Sequence, residues 1–303
     1  MTAAPADQAL NGIHEFGTTA LTYTADGQHF ISGGFRGDLK IWETATLRPV
    51  ATLQGHRRAV RAIVALPSGD IVSGGEDGRL ILWHGKTIRH QVSGKAITAL
   101  ALFQGRVVST HADHTLRVWS ADTLRALQQI PLDDTAVALS AHYAQLAVGM
   151  PRRIVLLDPH YQTRQTLTTT HTPHDLQFSP DGTRLAAGSW FRLSVWNLAL
   201  GTEHAWATEH NGLLTSLAFS PDGRYLATLG RHTDSAIRIL DTTHFNVVKR
   251  YQAHALCGAM IRFSPDGSRL LSASDDESVR VYDTASWHQP QPQPSKGVMP
   301  AAH

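Results

Sequence analysis

His56, Ser73 and Asp77 stand close together early in the chain, the last two in the stretch SGGEDGRLILW that spans residues 73 to 83. A serine, a histidine and an aspartate are the parts of an acyl-transfer triad. There the imidazole takes the serine proton and the carboxylate orients the imidazole. The same three side chains can instead form a buried hydrogen-bond relay that ends on the indole N–H of Trp83. A catalytic set is needed once, whereas a structural device can recur, so the choice turns on whether the chain repeats the set.

The chain does repeat itself. LQFSPDGTRLAAGS (176–189), LAFSPDGRYLATLG (217–230) and IRFSPDGSRLLSAS (261–274) each read as an alternating apolar run, a turn and a second apolar run. In SPDG the proline presets φ and the glycine accepts the left-handed conformation that closes a hairpin. Weaker copies lie at 21–34, 63–75, 100–111 and 137–150. A third short run follows each hairpin and ends at Trp42, Trp83, Trp119, Leu157, Trp196, Leu240 or Tyr282, and a fourth leads to the next hairpin. By subtraction these ends lie 36 to 44 residues apart. Four short strands recurring about every 40 residues predict an all-β fold, a seven-bladed β-propeller with one four-stranded antiparallel sheet per blade.

Gly55-His56, the strand-ending Trp42, Trp83, Trp119 and Trp196, and Asp158, Asp241 and Asp283 at the position of a WD aspartate carry a resemblance to the WD40 repeat family. It covers roughly residues 11 to 285. The SPDG-rich, alanine-rich style is similar to bacterial members. The resemblance implies that the histidine, serine, aspartate and tryptophan form a buried network within a blade, and that a strand from one terminus completes the blade built from the other. We therefore expect a single propeller over 1–285 in which residues 6–13 pair with 279–282. The proline-rich tail, 286–303, is a poor strand and is expected to be disordered.

Repetition favours the relay over the triad. Blade 7 offers His254, Ser272 and Asp276 with Tyr282 at the tryptophan position. Blade 3 has Ser109, Asp113 and Trp119 but no matching histidine, and blade 6 has His210, Thr228 and Asp234 ahead of Leu240. Blade 1 has His14, Ser32 and Trp42, with Arg36 at the aspartate position, so blade 2 alone is expected to hold the whole set. No catalytic residue is assigned on this reading, and the chain is expected not to be an enzyme.

Function then falls to the loops at the ends of the central channel. On blades 4 to 6 these place Arg152, Arg153, Arg192, Arg231 and His232 around Trp190 and Phe191. Arg57 and Arg58, on the loop leading into blade 2, extend the basic character. Aromatic anchors ringed by arginine suit a protein partner, here an acidic or phosphorylated peptide. The expected role is a scaffold or adaptor. The alternatives are an enzyme or enzyme-regulatory subunit with its site in the channel, and a subunit of a larger assembly held by the outer strands. Asp275, Asp276 and Glu277 are expected to pair locally with Arg36. His171 and His174 lack a third metal ligand, so no metal and no cofactor are expected.

Composition bounds these readings. The 303 residues are 42 % hydrophobic, enough for a sizeable core, and 27 Lys+Arg against 25 Asp+Glu give a net charge of only +2. A polyanion-binding surface would concentrate more basic residues, so nucleic acid is an unexpected partner. Cys257 is the sole cysteine, and MTAAPADQAL has no basic and apolar leader pattern. With no run of about 18 apolar residues, a cytoplasmic protein without a membrane span is expected.

Overall fold

The computed structural model describes residues 3–231, 234–252 and 254–288. Seven four-stranded antiparallel sheets form a β-propeller. Blades 1 to 6 each use four consecutive strands, and blade 7 takes its fourth strand from the N-terminus. That strand, Gln8–Leu10, pairs antiparallel with Val279–Asp283, placing Gln8 opposite Val281 and Leu10 opposite Val279. Closure by residues of the 6–13 stretch is thus as expected. The chain ahead of it also pairs, with Ala4 bridging to Tyr251 of blade 6.

The hairpins form for the reasons visible in SPDG. In all three copies the serine hydroxyl donates to the aspartate two residues on, at 2.5 Å for Ser179–Asp181 and 2.6 Å for Ser220–Asp222 and Ser264–Asp266. Gly182, Gly223 and Gly267 hold φ near +70°, a conformation any Cβ would strain. The apolar residues these strands alternate do not form one core. They form seven clusters, one at each junction between neighbouring blades. Each blade therefore packs both faces against its neighbours.

The chain is ordered past the last strand. Residues Ala285–His288 make a 3₁₀ turn, and the Trp287 indole N–H donates to Tyr251 Oη at 2.8 Å while its ring packs edge-on to Phe263 and Tyr225. The tail expected to be disordered from 286 therefore begins with a docked residue. An aromatic side chain with its N–H paired offsets the ordering cost that the following prolines suggested. Residues 289–303, the rest of that tail, lie outside the described residues.

Candidate functional site

The histidine, serine and aspartate meet as a relay. In blade 2, Ser73 and Asp77 flank the turn between the second and third strands, Ile71–Gly75 and Arg79–His84. His56 reaches over from the preceding loop. Its Nε2 lies 2.7 Å from Ser73 Oγ and its Nδ1 3.0 Å from Asp77 Oδ1. Ser73 Oγ also accepts the Trp83 indole N–H at 2.8 Å. The serine is fully buried. Burial pushes the His56 imidazole below its usual range against the pull of Asp77. Burial would raise the Asp77 carboxyl, but donors from His56 and the Arg57 and Arg79 amides hold it below the usual carboxylate range.

Blade 7 repeats the relay with His254, Ser272 and Asp276, ending on Tyr282 Oη 3.3 Å from Ser272 Oγ. Blade 6 has a looser version, with His210 Nε2 2.9 Å from Thr228 Oγ1 and Nδ1 3.4 Å from Asp234. Two expectations are corrected. Blade 1 holds a whole set, because Asp38, two residues beyond Arg36, places its carboxylate 2.7 Å from His14 Nδ1. His14 Nε2 and the Trp42 indole then converge on Ser32 Oγ at 2.8 and 2.9 Å. Blade 3 does have a histidine, His111, which is buried rather than displayed on the loop. Its Nε2 lies 2.7 Å from Ser109 Oγ, the oxygen that accepts from Trp119 at 2.7 Å. Asp113 instead bonds Arg117 and Thr115.

The signal that finds His111 lies two residues after the serine. Gly34, Gly75 and Gly230 occupy that register, and a Cβ on Gly75 would stand 2.6 Å from both His56 Nδ1 and Asp77 Oδ1. The glycine makes room for the loop histidine. In blade 3 the same register is His111, whose ring fills that space from within the strand. In blade 4 it is Met150, buried with Val148 and Leu157 in an apolar cluster.

The face onto which these loops open carries two separate aromatic patches. On blade 5, Trp190 and Phe191 are 42 % and 55 % exposed with ring centroids 5.8 Å apart. Arg192 reaches the Thr170 hydroxyl at 3.5 Å and Arg152 is exposed nearby in sequence register on blade 4. Two of the expected arginines are otherwise engaged, Arg153 with Asp133 at 3.0 Å and Arg231 with Asp275 at 3.1 Å. His232 lies outside the described residues. Arg57 and Arg58 belong elsewhere, three blades away from Trp190, in a groove with Phe16, Phe35 and Arg36. Arg36 pairs with Glu15 at 2.9 Å, not with the acidic run. Asp275 takes Arg231, Asp276 joins the blade 7 relay, and Glu277 accepts the Phe16 amide.

Between the patches the channel opens into a cavity of about 670 Å³ lined by the first strands of the blades. A buried polar chain crosses its wall. Ser216 Oγ donates to Asp175 at 3.1 Å, and Arg262 Nη1 donates to Ser216 at 3.1 Å and to the Ile261 carbonyl at 2.7 Å. Asp175 also accepts the amides of Leu176 and Leu217, which fastens blade 5 to blade 6. Burial pushes the Asp175 carboxyl above its usual range, against the pull of Arg262 and these donors. Among the described residues no group of three or more His, Cys, Asp or Glu could hold a metal ion.

Residues 47–84, 162–197, 204–241 and 245–283 match the WD40 family, described as "WD domain, G-beta repeat". The chain carries WD40 repeats. Each matched WD40 segment joins the outer strand of one blade to the three inner strands of the next, so the repeat covalently ties neighbouring blades together. The chain is 24 % identical over 285 residues to the periodic tryptophan protein 2 homolog of Dictyostelium discoideum, covering 91 % of this chain and 27 % of that protein. It is 29 % identical over 162 residues to the COMPASS component SWD3 of Saccharomyces cerevisiae, covering 52 % and 50 %. It is 24 % identical over 293 residues to the 77 kDa echinoderm microtubule-associated protein of Strongylocentrotus purpuratus, covering 89 % and 41 %. The chain thus spans half or less of the length of these relatives. All three are eukaryotic, so they lend nothing to the bacterial style read from the turns. No helix among the described residues is long and apolar enough to cross a membrane.

Proposed function

We propose that this WD40 propeller is a non-enzymatic protein-interaction scaffold whose channel-end face holds a partner segment on Trp190 and Phe191. The observation that carries the reading is the pair itself: two large aromatic side chains, side by side and about half exposed, on a loop of a rigid ring. Exposed aromatics of this kind concentrate binding energy when a partner excludes water from them. Arg192 and Arg152 flank the pair and suit an acidic or phosphorylated segment. The names of two relatives, a COMPASS component and a microtubule-associated protein, fit work within assemblies.

An active site in the channel has one observation in its favour, the convergence of His174, Asp175 and Arg262 on one cavity. Asp175, however, spends its oxygens on Ser216 and two backbone amides, which is the pattern of a fastener, and we prefer the scaffold. The test is affinity capture from the native host with wild type and Trp190→Ala/Arg192→Glu. Partners retained by wild type and lost by the folded variant support the reading. An unchanged partner set moves the site elsewhere.

A further inference from the structure

We propose that the groove between blades 1 and 2 on the channel-end face is a second docking site, and that its occupant is a protein segment bearing a large apolar side chain flanked by carboxylates. The inference rests on the scaffold reading and adds a site and a partner chemistry to it. The groove has a volume of about 640 Å³. Phe16 and Phe35 form its apolar wall and are 56 % and 52 % exposed. Phe16 also stands in the left-handed region, at φ 66°, where a bulky side chain is strained. Its ring gains little packing within the chain in return, apart from the Arg36 guanidinium 4.7 Å from its centroid. A strained, solvent-facing phenylalanine is the kind of local inconsistency that a partner resolves.

Charge selects the partner. Arg36 pairs with Glu15 at 2.9 Å, and Glu76, the one acid lining the groove among the described residues, is tied to Arg61. Arg57 and Arg58 remain. Among the described residues neither guanidinium has an ion-pair or hydrogen-bond partner, and both are exposed. The Arg57 backbone amide caps Asp77 at 2.8 Å, so the blade 2 relay fixes where this basic pair points from. Two unpaired arginines beside an apolar wall match a short segment that brings both an apolar side chain and acidic neighbours. A nucleic-acid strand would call on a longer basic track than two residues supply.

A phage-displayed library of random linear peptides, selected on the purified full chain, tests this. Expected are peptides with one aromatic or large aliphatic residue beside Asp or Glu. Their affinity, read by fluorescence anisotropy, should fall about tenfold or more in Arg57→Glu/Arg58→Glu and again in Phe35→Ala, weaken with added salt, and hold in Trp190→Ala/Phe191→Ala. An unchanged melting temperature certifies that the variants fold, and Arg57→Gln/Arg58→Gln should show a smaller loss. Peptides without acidic enrichment, or indifferent to Arg57 and Arg58, overturn the proposal. So does an oligothymidylate that outcompetes the peptides from the same groove. Peptides that map only to Trp190 and Phe191 overturn this groove and leave the scaffold reading standing. A library that yields nothing on either surface overturns both.

Discussion

Blades 2 and 4 are four-stranded sheets of the same topology and are held together in opposite ways. In blade 2 the second strand carries Ser73 and Gly75 and the third carries Trp83, and a loop histidine enters the gap to close a polar relay. In blade 4 the same registers are Val148, Met150 and Leu157, all buried in one apolar cluster with Phe103 and Tyr161. The ring accepts either solution, because replacing every partner of a buried polar set by apolar groups of similar shape is close to neutral. Blade 6 stands between them, joining His210 to Thr228 and Asp234 while Leu240 takes the tryptophan position in an apolar cluster. The relay's geometry is that of a device for fixing loop and register.

Exchanging the two solutions piecemeal should break the blades in proportion to the polar groups stranded. Ser73→Val, which puts the blade 4 residue into blade 2, leaves His56 Nε2 without its hydroxyl donor and the Trp83 N–H without an acceptor. It should cost about 2–5 kcal/mol in chemical denaturation. Trp83→Phe strands nothing but removes one donor and part of a large buried ring, at about 1–3 kcal/mol. Val148→Ser, the reverse exchange, buries a hydroxyl with no histidine or indole to meet it and should cost about 1–2 kcal/mol. Tyr282→Phe breaks the 3.3 Å contact to Ser272 and the hydroxyl's bond with Arg280 at the end of the relay and should cost about 1 kcal/mol. A Val148→Ser loss larger than that of Ser73→Val would overturn the comparison.

Acid sharpens it. The buried imidazoles of His56, His210 and His254 are held below their ordinary value of 6.5. The unfolded chain therefore binds more protons than the folded one below that value, and stability drops as pH falls through it. Asp38, Asp77 and Asp276 are held below the ordinary 3.8. Their contribution is present above that value and is lost as pH falls beneath it. Both groups act in the same direction, so the melting temperature should be flat above about pH 7 and decline in two stages below. His56→Gln should shrink the first stage. A melting temperature that rises on acidification to pH about 5 contradicts the buried neutral relay.

The seven registers were legible because hairpin turns and strand-ending tryptophans mark strand direction and spacing directly, and the closing N-terminal strand was legible through the WD40 resemblance. Reach across a turn was not. Asp38 enters the blade 1 relay from two residues later than the repeat spacing indicates, since a carboxylate at the start of the third strand can approach the same imidazole. His111 replaces a loop histidine from inside its own strand, and a repeat alignment that looks only at the loop passes over it. The interaction face was legible in composition and not in layout. Phe191 and Trp190 stood out as neighbours in sequence, whereas Phe16, Phe35, Arg57 and Arg58 come from three separate loops and meet only when blade 1 folds and packs on blade 2. Arg36 meets Glu15 across the loops of blade 1, and Arg231 meets Asp275 where blade 6 packs on blade 7.

The most direct test of the structural reading of Ser73 is a single comparison on one preparation of Ser73→Ala, in which the melting temperature and the capture of host partners are measured together. The relay account predicts a melting temperature several degrees lower, as the loss of about 2 kcal/mol implies, with every wild-type partner still bound below the transition. An unchanged melting temperature with partners or turnover lost would contradict it and return Ser73, His56 and Asp77 to chemistry.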